Sequence, residues 1–137
     1  MSILRRLFGG KPEPINDPVL GRLDFEYGGW SRPAAKSGGV ELYVIAPKSG
    51  PTENQRRFYR KLSPTLQQTI ATAKRFIHEK QPNVNPTSLS RCSVEIGPDE
   101  DIARGAFALE LDESEDSPVH RVEFVGGKPA AYTCEEC

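Results

Sequence analysis

The stretch that decides the fold is "PTENQRRFYRKLSPTLQQTIATAKRFIHEKQP", residues 51–82. Within it Tyr59, Leu62, Leu66, Ile70, Ala73 and Ile77 recur at spacings of three and four, drawing one apolar stripe along a helix. Such a stripe has to be covered, and a sheet can cover it. Thr52 with Gln55 three residues on marks the start: the hydroxyl accepts from an early helix amide and the Gln side chain returns to the cap backbone. Pro64 removes a backbone bond and crowds the preceding turn. Because Ser63 is a good cap and Pro suits a first helical position, the pattern predicts two helices over about 53–62 and 64–80, or one helix kinked at Ser63.

On either side of this block the period changes from helical to strand-like. In "VLGRLDFEY" Leu23, Phe25 and Tyr27 alternate with Arg22, Asp24 and Glu26, which is the pattern of a half-buried strand. A "GG" turn follows, Trp30 opens a second strand, and "GGVELYVIAP" gives a third with Val40, Leu42 and Val44 on one face. Since Tyr43 and Ile45 make the opposite face partly apolar, this third strand reads as central, or covered on both sides, rather than as an exposed edge. After the helices, "SRCSVEI", "AFALELD" and "VHRVEFV" read as three hairpin-connected strands, joined by "GPDEDIARG" and the acidic "DESEDSP". "GGKP" turns the chain into a last short strand near Ala130 to Thr133. The expected fold is α+β, a mostly antiparallel sheet of about six or seven strands covered on one face by a kinked helix or helix pair. One domain over 17–133 carries it, preceded by a flexible amphipathic arm, 1–16, and followed by a tail, 134–137.

The 137 residues hold 36% apolar and 27% charged side chains, which excludes fibrous and disordered classes. No stretch is long and apolar enough for a membrane span, and "MSILRRLFGG" lacks the apolar region and cleavage site of a secretory signal, so a cytoplasmic location is expected. Three cysteines do not suit a disulfide framework. The net charge of -1 hides a separation: residues 1–91 hold fifteen Lys and Arg against seven Asp and Glu, residues 92–137 three against twelve. Charges divided in this way steer encounters with charged partners.

The segment "DPVLGRLDFEYGGW", residues 17–30, resembles the opening motif of a group of small bacterial α+β domains of unknown function. In that group an Asp-Pro, an apolar pair and Gly precede an alternating strand, a turn and a Trp. The later order of strand, helix and hairpin strands fits the same layout. Some relatives are immunity proteins that neutralise bacterial polymorphic toxins. The resemblance therefore implies a noncatalytic protein-binding role with no catalytic residues. A partner such as a toxin, basic where it meets the acidic loop "DESEDSP", is expected, and no cofactor.

Several residues invite a functional reading of their own. Cys134 and Cys137 have the C-x-x-C spacing of zinc ribbons and disulfide oxidoreductases, which makes a thiol or zinc-binding protein the alternative function. A structural zinc needs four ligands, and the remaining candidates are Cys92, His78 and His120; Cys92 shares parity with Val94 and Ile96 and reads as a core thiol. Asp112, Glu113, Glu115 and Asp116 crowd one hairpin loop and form the expected docking surface for a basic partner. That loop lacks the glycine and late Glu of a calcium site. "RRFYRK", residues 56–61, superficially resembles a nucleic-acid patch, but Tyr59 belongs to the apolar stripe, so the bases read as the wet side of a helix. The arm could rest on an anionic membrane through Ile3, Leu4, Leu7 and Phe8 beside Arg5 and Arg6, and only weakly. No nucleophile elbow, phosphate-binding loop or histidine metal motif is present, so no enzyme is expected.

Overall fold

The computed structural model describes residues 12–34 and 39–137. Eight strands lie side by side in chain order: β1 (Ile15–Asp17), β2 (Gly21–Glu26), β3 (Gly29–Arg32), β4 (Glu41–Val44), β5 (Arg91–Ile96), β6 (Ala106–Asp112), β7 (Val119–Val125) and β8 (Lys128–Glu135). Neighbours are antiparallel except β4 and β5, which run parallel. Two four-stranded meanders are thus joined in the middle by one crossover, and the crossover is the helical block. It consists of α1 (Glu53–Leu62), a 3₁₀ turn (Ser63–Thr65) and α2 (Leu66–Lys80). A parallel neighbour can be reached only by a long crossover, so the helices have to lie across one face of the sheet.

The α+β class holds, and the joint falls at Ser63 with Pro64 opening the 3₁₀ turn. The strand count rises to eight because of β1, which pairs Ile15 with Leu23 and Asp17 with Gly21. Lying between Pro14 and Pro18, it offered no alternation to read. A short helix, α3 (Asp99–Ala103), occupies the connection between β5 and β6. The sheet extends two residues beyond the expected domain at each end, to Ile15 and Glu135.

The stripe predicted from residues 59–77 is buried along its whole length, from Tyr59 to Ile77. It packs on Leu23, Trp30, Leu42, Val44, Val94, Ile96, Leu109, Val122 and Phe124 from the covered face of the sheet. Gln55 fastens the crossover where it leaves the sheet. Its Oε1 accepts from the Thr52 amide at 2.9 Å, completing the capping box, and its Nε2 donates to the carbonyls of Ile45 (2.8 Å) and Gly97 (2.9 Å). One buried side chain therefore satisfies backbone groups at the ends of both parallel strands, which burial would otherwise leave unpaired at a cost of about 1–3 kcal/mol each.

Candidate functional site

Two regions gather chemistry-bearing side chains, and the first is built by the β7–β8 hairpin. Gly126 and Gly127 both have positive φ (59° and 83°) and make the two-residue turn. Beyond it the register steps by one residue, from Phe124↔Pro129 to Glu123↔Ala131, so Ala130 is the extra residue of a bulge. The step decides every pairing that follows: Val122 lies opposite Tyr132 and His120 opposite Cys134. Without it His120 would face Thr133, and Cys134 would point to the other side of the sheet.

His120 is buried, and burial pushes its pKa down against the opposing fields of Glu113 and Asp112, so the ring is neutral at neutral pH. Its Nδ1 lies 2.8 Å from the Tyr132 hydroxyl, and the two rings stack at 6.0 Å. Gln81 Nε2, just past the end of α2, donates to the same hydroxyl at 3.0 Å. Glu136, with φ of 65°, turns the backbone through the left-handed region and returns Cys137 to Cys134, to which it is joined by a disulfide with Cα atoms 5.8 Å apart. A ring nitrogen of His120 and both sulfurs lie within 4.8 Å of one another. Beside them opens a pocket of about 370 Å³ lined by Gln81, Asn85, Glu113, Ser117, His120 and Cys137. Cys134 and Glu135 belong to β8, so the segment expected as a tail is strand in its first two residues.

The second region is the face of the sheet that the helices leave uncovered. Strand alternation turns Asp24, Glu26, Glu41, Glu95, Glu110 and Glu123 to this side. A groove of about 340 Å³ runs between Glu26, Tyr27, Glu41, Tyr43, Glu95 and Glu110. Arg121 of β7 reaches Glu95 at 2.7 Å, Glu110 at 3.4 Å and Glu123 at 3.5 Å, and its hydrogen bond to Glu95 raises its pKa further. Tyr43 donates its hydroxyl hydrogen to the Tyr27 carbonyl; burial and the nearby Glu95 and Glu26 push its pKa up. Tyr27 itself has φ of 53° and is 93% exposed at the rim of the groove.

Of the four acidic loop residues, Asp112 and Glu113 fall one in each region and the other two in neither. Asp112 ends β6, lies 3.3 Å from Arg91 Nε, and lines a second hollow of about 400 Å³ with Glu41, Ser93 and Glu110 on the open face. Burial raises its pKa although Arg91 opposes, and its Oδ1 receives no hydrogen bond among the described residues. Glu113 turns the other way, accepting from Ser88 Oγ at 2.6 Å and lining the His120 pocket. Ser117 Oγ accepts from the amides of Glu113 (3.0 Å) and Ser114 (2.9 Å), which shapes the turn and leaves Glu115 and Asp116 exposed at its tip.

Other sequence candidates have structural tasks. Arg56 pairs with the buried Asp17, and Phe58 packs on Phe107 with centroids 5.4 Å apart, so part of the basic helix run is used within the fold. Cys92 faces the helices, and burial pushes its thiol up to about 12, far from a reactive thiolate. His78 Nδ1 lies 2.9 Å from the Val84 carbonyl, to which it can donate. The arm residues Ile3 to Phe8 lie outside the described residues. Among the described residues no helix is long and apolar enough to cross a membrane. Tyr27, expected on the buried side with Leu23 and Phe25, lies instead in the turn after β2, which ends at Glu26, and is exposed. Tyr132 and the Gln81 link had no sequence signal, because each depends on a register or a turn conformation. Compared with protein-family models, curated proteins and solved structures, the chain has no match.

Proposed function

We propose that the protein is a noncatalytic protein-binding domain whose docking surface is the open face of the sheet, and that its partner is a basic protein of the kind immunity proteins neutralise. The observation that carries this reading is the acidic groove edged by an exposed aromatic. Glu26, Glu41, Glu95 and Glu110 line it, with Arg32 as the one base among the described residues of its wall, and Arg121 reaches Glu95 and Glu110 from β7. A cationic segment laid in the groove would be neutralised along its length. Tyr27 supports the same surface independently. A tyrosine in the left-handed region, 93% exposed, contributes little to folding and sits where a two-residue turn favours Gly or Asn. Exposed aromatics at the edge of a polar patch are common anchors in protein interfaces.

The test is a pull-down with the product of the neighbouring gene, followed by titration of a Tyr27→Gly variant against whatever is recovered. The expected result is a basic partner bound at least tenfold more weakly by the variant, with a melting temperature equal to or above that of the original protein. Recovery of no protein partner, or unchanged affinity for the variant, would remove the reading.

A further inference from the structure

We infer that His120, Cys134 and Cys137 form a zinc site that is closed by the disulfide in the oxidised protein and opened by its reduction. This goes beyond partner binding and rests on a different part of the molecule. The three potential ligand atoms already lie within 4.8 Å of one another. In tetrahedral zinc, with Zn–S of about 2.3 Å and Zn–N of about 2.0 Å, the donor atoms stand roughly 3.5 Å apart. Reduction and a small parting of the sulfurs therefore meet the geometry without rebuilding the hairpin.

The surroundings suit a metal in two further ways. The Tyr132 hydroxyl lies 2.8 Å from His120 Nδ1 and is itself held by Gln81, so Nδ1–H can donate to it and leave Nε2 as the donor to the metal. A ligating histidine anchored through its other nitrogen is the usual arrangement. His120 and Cys137 also line the pocket of about 370 Å³ that Glu113 and Ser117 border, so water or an added ligand can complete the coordination from that side. Three protein ligands with one exchangeable position is the arrangement of a reactive rather than a purely structural zinc. His120 of β7 lies opposite Cys134 of β8, and Cys137 follows two residues after the end of β8, so a single chain supplies the whole set.

The redox step balances as follows. A phosphine reductant delivers two electrons to the Cys134–Cys137 bond, which breaks; its phosphorus takes the oxygen of one water, whose two protons make the two thiols. Zn²⁺ then displaces both thiol protons to solvent and binds two thiolates and the neutral imidazole. Hydrogen peroxide, as a two-electron oxidant, takes the electron pair from the two thiolates and with two protons from solvent leaves as two waters, which returns the disulfide and releases Zn²⁺.

The experiment titrates the phosphine-reduced full chain with Co²⁺, then with Zn²⁺, reading the thiolate-to-cobalt absorption bands and the metal content after desalting. One metal per chain, tetrahedral cobalt bands, and loss of both on oxidation are expected. Cys137→Ser, at an exposed position, should weaken binding at least a hundredfold while the melting temperature stays in place. His120→Asn should weaken it at least tenfold, and Cys92→Ala should bind as the original does. Because His120 is buried and its variant can fail to fold, the Cys137 variant carries the test by itself. Absence of cobalt bands in the reduced protein, undiminished binding by Cys137→Ser, or half a metal per chain would each overturn the single-chain site.

Discussion

Asp17 shows what one residue can hold. Its side chain is 1% exposed, yet it remains charged, because Oδ1 accepts from the amides of Val19 and Leu20, both at 2.9 Å, and Oδ2 pairs with Arg56 of α1. Burial alone would raise its pKa; the two backbone hydrogen bonds and the guanidinium outweigh burial and bring it below the ordinary value. The contribution to stability is therefore present above the unfolded-state pKa of about 3.9 and is lost as pH falls through the lower folded value. Asp17→Asn should cost about 3 kcal/mol in urea unfolding at pH 7, because it leaves a partly buried guanidinium without its counter-charge. The gap between variant and original should shrink below pH 4. A gap that stays constant down to pH 2 would mean that shape rather than charge matters at this position. The Asp-Pro of the opening motif thus has a physical role, tying the β1–β2 turn to the first helix.

At the scale of elements, the helical crossover was the most legible part of the sequence, because a 3.6-residue period over many turns has no strand counterpart. Its buried face predicts that Ile70→Asp, which sets an unpaired carboxylate against the sheet, destabilises the domain by several kcal/mol or unfolds it. Thermal melting followed by circular dichroism checks this; an unchanged melting temperature would contradict the packing. Other elements were hidden for identifiable reasons. β1 is three residues long between prolines, so its pairing depends on Asp17 and Arg56 and not on its own pattern. α3 is a single acidic turn, Asp99–Ala103, that an eye for periodicity reads as loop. The parallel pairing of β4 with β5 follows from topology, which alternation within a strand cannot reveal. The His120–Cys134 pairing was the least legible: both residues were visible, but one bulged alanine decides whether they meet.

Over the whole molecule, the charge separation seen along the sequence becomes a separation between layers. Residues 53–80, the helical cover, contain seven Lys and Arg against two Glu, whereas the opposite face presents the carboxylates of β2, β4, β5, β6 and β7. A body charged in this way orients an approaching basic protein toward its acidic side before contact. Two acidic clusters compete for that role, the open face and the tip of the β6–β7 loop. The loop has local uses, since Asp112 pairs with Arg91 and Glu113 accepts from Ser88. Glu41 on the face lines the hollows of about 340 and 400 Å³, and among the described residues its carboxylate makes no hydrogen bond or ion pair. Replacing Glu26 and Glu41 by Gln should therefore lower the association rate with a basic partner a few-fold at low salt and flatten its salt dependence, with little change in melting. Glu115→Gln with Asp116→Asn removes the same charge from the loop tip and should slow association less. Stopped-flow rates at two ionic strengths separate the cases. If the loop variant is the slower of the two, docking belongs to the loop predicted from sequence; if neither changes, the acidic side is only solvated and the basic helices become the surface to test.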